Sequence, residues 1–191
     1  MPGLLGWVWP RKAAQSTQLP VVIRRVRRED LDAVFELWCS LGDEEIPQPP
    51  LSFDRWGPGI AVPAAGAMPT SHIPLEPSMC VRQHLAATVS HPASACFVAE
   101  HEGALVGFVT CSWSDHPTMG GHTGQIEELY VRPAVRRRAV GTQLLRAALA
   151  YLRDYEATVF KVEVPFGDAR AIRFFQRSDW VRESTALTLH D

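Results

Sequence analysis

Arg136-Arg137-Arg138-Ala139-Val140-Gly141-Thr142 is the stretch of this chain whose residue types and spacing suit the holding of an anion. It follows an alternating segment, Gln125 to Val131, and leads into a run of helical period, so it opens a helix just after a strand. The first N–H groups of a helix lack partners inside it, and the aligned peptide dipoles place partial positive charge at that end. Small residues let a phosphate approach the backbone, and the three arginines add formal charge. A phosphate-bearing ligand is the chemistry such a loop invites. The stretch is not a P-loop, because the Gly-Lys-Ser/Thr ending is absent. Nor is it a dinucleotide fingerprint, since the first two glycines are missing and no early βαβ unit surrounds it.

Two elements must position this loop. In Gln125 to Val131 the apolar residues Ile126, Leu129 and Val131 stand among polar neighbours, as in a strand, and Arg132-Pro133 ends it. By the two-residue period Gln125, Glu127, Leu129 and Val131 share one face, while Glu128 and Tyr130 point away. After the loop, Leu144, Leu145, Ala148, Leu149 and Leu152 form an apolar helical stripe.

Further elements surround these two. Residues 1 to 20 form a tail, whose Trp7 and Trp9 either stay loose or dock on the domain or on a second subunit, which leaves a homodimer open. Val21 to Arg27 is a short strand, and Glu29-Asp30 supplies the first-turn acids of a helix carrying Leu31, Val34, Phe35 and Trp38 on one face. Arg24, Arg25, Arg27 and Arg28 read as a solvated edge. Prolines crowd the insertion 42–77, which is either functional or a surface loop. Pro77 to Val89 suits a short helix. Ala95 to Glu100 and Ala104 to Cys111 make a hairpin across His101-Glu102-Gly103, and Ser114 to Gly124 is a loop. Val159 to Val164 alternates as a strand. Asp168 caps a helix bearing Ala171, Phe174 and Phe175, and Trp180 to Leu189 makes a last strand.

Leu129-Tyr130-Val131-Arg132-Pro133 followed by Arg136 to Gly141 resembles the acetyl-CoA segment of the GNAT superfamily of N-acetyltransferases. That family's loop reads Gln/Arg-x-x-Gly-x-Gly/Ala; Arg136 and Gly141 match its ends, and Ala139 replaces its first glycine. A methyl group there demands a negative φ and narrows the cradle, so weaker cofactor binding is expected. The segment from Asp168 to Trp180 is similar in spacing to the family's last motif, Asn-x-x-Ala-x-x-x-Tyr-x-x-x-Gly-Phe, with Asp168, Phe175, Asp179 and Trp180 substituted and Ala171 unchanged.

The resemblance, over residues 21–191, implies an α/β (α+β) domain. Its mixed, mostly antiparallel twisted sheet would have about six to seven strands, splayed at the centre and flanked by about four helices. It implies acetyl-CoA as co-substrate and no metal. Unpaired backbone around Leu129, Tyr130 and Val131 would take the thioester oxygen, and the N–H groups of Arg137, Arg138, Ala139, Val140, Gly141 and Thr142 the diphosphate. Asp168, Ala171, Phe174 and Phe175 would complete the cofactor side. The acceptor would be a primary amine on a small molecule or a peptide, flanked by the insertion with Asp43, Glu44, Glu45, Phe53, Trp56 and Glu76. An ammonium must lose its proton before attack, and Glu127, with Gln125 beside it, is the candidate for this catalytic role; the alternative for Glu127 is a salt-bridged sheet residue. Phe175 stands where the family often carries a proton-donating tyrosine, so the thiolate leaves unaided or His122 or Tyr151 must reach it. Asp168 is either close to the cofactor or simply a cap, and His116 and His122 read equally as surface groups.

Ala139 and Phe175 also motivate a second class, a non-catalytic acyl-CoA-binding module. At 191 residues the chain has room for one sizeable core. Its formal charge of −2 argues against a general nucleic-acid binder. No apolar run approaches the roughly 20 residues of a membrane span. Cys39, Cys80, Cys96 and Cys111 are widely separated, so neither a zinc site nor disulfides are expected and a cytoplasmic location is the default.

Overall fold

The structure, a computed structural model, describes residues 18–42, 77–115, 121–165 and 167–183. The expectations placed on Trp7, Trp9, His116 and the acids and aromatics between 43 and 76 lie outside these residues. Strands β1 (Val22–Arg25), β2 (Ser94–His101), β3 (Ala104–Asp115), β4 (His122–Val131) and β5 (Ala157–Val162) form one sheet in that spatial order. The first four run antiparallel in succession, and β5 returns parallel to β4. Helices α1 (Leu31–Gly42) and α2 (Pro77–Ser90) precede β2; α3 (Val140–Asp154) links β4 to β5, and α4 (Ala169–Gln176) follows.

Local chemistry accounts for most of these boundaries. The β2–β3 hairpin closes on Glu102 and Gly103, both at positive φ (50° and 78°), which is the backbone of a two-residue turn whose twist matches the strands. The strands on either side of residues 116–120 extend further than the expected loop allowed, to Asp115 and from His122. A 3-10 turn, Arg28–Asp30, precedes α1, so Asp30 lies before the helix rather than within its first turn.

Two apolar clusters cover the sheet. Val34 and Leu37 of α1 and Leu85 of α2 pack with Cys96, Val98, Phe108 and Tyr130. Val140, Leu144, Leu145, Ala148 and Leu152 of α3 pack with Ala95, Ala99, Val109, Cys111 and Ile126. Each buried large aliphatic side chain contributes roughly 1.5–3 kcal/mol, so the α3 stripe holds this helix to the sheet.

Three expectations about the strands and their edges are corrected. Five strands are present among the described residues, not six to seven; of the expected last strand, Trp180 to Glu183 are not in one and 184–189 lie outside the described residues. The reason lies at the end of α4. Asp179 takes a left-handed φ of 64°, and the Trp180 N–H donates to the Phe175 carbonyl at 3.2 Å, so the chain folds back and Trp180 meets Phe175 edge-on at 5.4 Å. The arginine cluster is not all solvated edge: Arg24 donates to both Asp30 oxygens (2.7 and 2.9 Å) and to Glu100 (2.9 Å). The third correction concerns β4 itself and belongs to the site.

Candidate active site

β4 pairs with β3 as far as Val131, whereas its pairing with β5 stops at Ile126. The two parallel strands therefore part, and residues 127–131 present backbone groups that β5 does not satisfy. Backbone N–H groups left unpaired beside an apolar core are costly unless a ligand or water takes them. Leu129 and Val131 line the α3 side of this gap, while the Tyr130 side chain is buried on the other side of the sheet, 4% exposed, leaving only its backbone to serve.

At the end of β4 the chain turns through Pro133–Val135 into the expected loop. Arg136 folds back so that its Nε donates to the Val131 carbonyl at 2.7 Å and its guanidinium lies over the Tyr130 ring, which ties the loop to the strand end. Arg137 and Arg138 are exposed. Arg137 and Ala139 both adopt left-handed φ, 65° and 63°. The expectation that Ala139 would demand a negative φ is thus corrected: it takes the conformation a glycine would, at a cost of about 1 kcal/mol. The cradle keeps its shape and stores strain. Val140, Gly141 and Thr142 open α3, and a Cβ added to Gly141 would sit 3.4 Å from the Phe174 ring and 3.7 Å from Val131. The Gln143 Nε2 atom, in the first turn, is buried without a partner among the described residues. A helix start, a small residue, two left-handed residues and an orphaned amide together fit a phosphate-bearing cofactor with a polar arm.

Ala171 and Phe174 are half-buried, and Phe175 is 7% exposed in the α3-side core. Asp168 behaves as a cap: its Oδ1 accepts the N–H groups of Arg170 (3.0 Å) and Ala171 (2.8 Å). Gln125 lines a groove along β5 with Phe160, Val162, Phe175 and Trp180 rather than standing beside Glu127.

The correction in β4 is a bulge. Thr110 pairs with Glu128 and Cys111 with Ile126, so Glu127 is an extra residue that inverts the alternation on either side of it. Ile126, Leu129 and Val131 share the α3 face, and Glu127 does not join them. Its Oε1 instead accepts a hydrogen bond from Ser112 Oγ at 2.6 Å, on the side covered by α2. Glu128 keeps the face shared with Tyr130, as expected, so the bulge brings Glu127 beside it. Glu128 accepts from Thr110 Oγ1, its N–H donates to that oxygen at 3.1 Å, and its Oε1 lies 4.0 Å from His84 Nε2 of α2. Ligand-type atoms of His84, Glu127 and Glu128 all fall within 4.8 Å of one another. The sequence reading missed His84, Thr110, Ser112 and Glu128; two consecutive carboxylates on a strand were the one signal that could have raised Glu128.

The alternative proton donors are elsewhere. Tyr151 donates to the Pro92 and Ser94 carbonyls at 3.1 Å, and burial pushes its phenol up. His122 is held by the Tyr155 carbonyl and Asp115 at the start of β4, about 17 Å of extended strand from Glu127. Burial, with the Glu127 carboxylate second, pushes the Cys111 thiol up to about 12, and burial raises Cys96 as well, so neither is poised as a thiolate nucleophile.

An uncharacterized N-acetyltransferase of Archaeoglobus fulgidus is 30% identical to this chain over 100 residues, 52% of this chain and 68% of that protein. Among solved structures, a transcriptional regulator from Bacillus halodurans C-125 matches with a TM-score of 0.65 at 17% identity, covering 90% of this chain and 100% of that one. An aminoglycoside N-acetyltransferase in complex with CoA matches with a TM-score of 0.63 at 13% identity, covering 89% and 98%. At those identities the likeness is one of fold. The model of the acetyltransferase (GNAT) family spans residues 68–180, more than half of the sequence, and the chain belongs to that family.

Proposed function

We propose that this acyltransferase moves the acetyl group of acetyl-CoA to a primary amine by direct attack in a ternary complex. The carrying observation is the parting of β4 from β5 after Ile126, immediately before the anion-holding loop. In this reading the N–H groups from Arg137 to Thr142 hold the diphosphate and Gln143 adds a side-chain donor beside them. The free backbone of Leu129 to Val131 aligns the acyl group and receives its carbonyl oxygen as negative charge grows there.

Acetyl-CoA supplies an activated acyl group on a thiol whose pKa near 8.5 makes it a serviceable leaving group. The chain's own residues prepare the amine. Glu128, fixed by Thr110, draws in the ammonium, and Glu127, held by Ser112 on the bulge, takes its proton directly or through water. The amine lone pair then forms the new C–N bond as the C–S bond breaks, sulfur leaves with the bonding electrons, and the surplus proton on nitrogen passes to water. Phe175 has no proton to give, so the thiolate is protonated from solvent. The high thiol pKa of Cys111 and Cys96 supports attack without an acyl-enzyme. Amine acceptors are supported by the relatives, which are named N-acetyltransferases.

Release of free thiol from acetyl-CoA, followed across a panel of amines, tests the proposal. Glu127→Gln should lower kcat at neutral pH at least about tenfold while sparing CoA affinity. Equal rates for variant and parent from pH 6 to 9 would remove Glu127 from the mechanism. The buried Phe175 favours one rival, a CoA-binding module without transferase activity; tight CoA binding with no thiol release for any amine would select it.

A further inference from the structure

The segment just before β1 crosses to the anion-holding loop. The Leu19 N–H donates to the Arg138 carbonyl at 3.2 Å, and the Leu19 side chain is 7% exposed within the same cluster as Val140 and Leu144. The next residue is tied as well, since His101 Nδ1 donates to the Pro20 carbonyl at 2.8 Å. Residues 18–20 therefore form a strap fixed at the core, at the loop and at the end of β2.

This strap bears on Ala139. A peptide unit is planar, so fixing the Arg138 carbonyl toward Leu19 also turns the Ala139 N–H the opposite way. On the other side of the residue, the Ala139 carbonyl accepts from the Gln143 N–H at 3.0 Å, the first hydrogen bond of α3. Ala139, at its left-handed φ of 63°, thus sits between two hydrogen-bonded peptide planes. Left-handed conformations of residues with a Cβ persist only where the surroundings over-determine them. Where the resemblance puts a glycine that adopts this shape unaided, this chain has an alanine and a tether.

We propose that Leu19 is a positioning residue for the cofactor: its N–H holds the 138–139 peptide in the orientation that keeps the loop open to a diphosphate. The inference rests on the reading of residues 136–142 as the CoA-diphosphate site, and the test separates the two. In the full chain, Leu19→Pro removes the N–H, and Leu19→Ala keeps it while trimming the packing. Dissociation constants for CoA are measured by calorimetry, KM for acetyl-CoA and kcat by thiol release, and Tm by scanning calorimetry.

Leu19→Pro should raise both the CoA dissociation constant and KM about fivefold, the worth of one ordinary hydrogen bond, with kcat changed less than about twofold. Leu19→Ala should lower Tm and leave the dissociation constant within about twofold of the parent. Ala139→Gly placed on Leu19→Pro should restore most of the affinity, because glycine takes the left-handed shape without the tether. A Leu19→Pro protein that melts lower yet binds CoA like the parent, or one that Ala139→Gly fails to rescue, overturns the proposal. If Leu19→Pro does not fold, His101→Ala, which frees only the Pro20 end, takes its place: a dissociation constant raised about twofold supports the strap and an unchanged one overturns it. A parent protein that binds no CoA sinks the functional reading instead.

Discussion

Asp30 carries more of this structure than its place before α1 suggests. It is 8% exposed, accepts both Arg24 donors, and also takes the Arg27 N–H at 2.7 Å, joining β1 to the turn that launches the helix. The Arg24 guanidinium holds the Asp30 carboxyl below its ordinary range, against the opposing effect of burial. A carboxyl whose folded pKa is depressed contributes stability above its unfolded pKa and loses it as pH falls through the folded value. Asp30→Asn should therefore cost about 2 kcal/mol at pH 7, a figure kept below that of a fully buried pair because solvent partly screens this one. Below about pH 4 the variant and the parent should converge in urea-unfolding free energy. A gap that stays constant down to pH 2 would mean the carboxylate's charge is not its source. No periodicity could have disclosed this pair with Glu100, since Arg24 and Glu100 lie 76 residues apart in the chain.

At the scale of elements, the seating of α3 on β4 decides how the loop is presented. Gly124 makes room for it: a Cβ there would come within 2.8 Å of Leu152 Cδ1, closer than carbon atoms tolerate. Leu152 is fully buried and has nowhere to retreat. Gly124→Ala should lift the C-terminal half of α3 and lower stability by about 2 kcal/mol, read as a fall in the urea midpoint at unchanged slope. A midpoint equal to the parent's would show that the helix shifts freely. The stripe of α3 was legible because five apolar residues repeat at helical spacing, and the hairpin because Glu102-Gly103 meets the demands of a tight turn. The bulge was not. A one-residue insertion leaves no mark in composition, yet it moves Glu127 off the face that alternation assigned and sets it beside Glu128. The Ala139 backbone was hidden for a similar reason: the residue type argues for negative φ, and the hydrogen bonds on either side of it, to Leu19 and from Gln143, come from positions the local sequence does not disclose.

For the molecule as a whole, one sheet separates two chemically different sides. The α3 side offers an apolar gap and a positive helix start; the α2 side offers His84, Glu127 and Glu128. β4 joins the two sides, and its bond pattern is asymmetric, running to Val131 along one flank and only to Ile126 along the other. In heavy water that asymmetry becomes two rates on a single strand. Across residues 127–131 every second amide should trade its proton early, while its neighbours keep theirs about as long as the centre of the sheet does. Saturating CoA should slow the early set and leave the late set alone. A strand that deuterates at one uniform rate would show the two flanks to be equally sealed in solution.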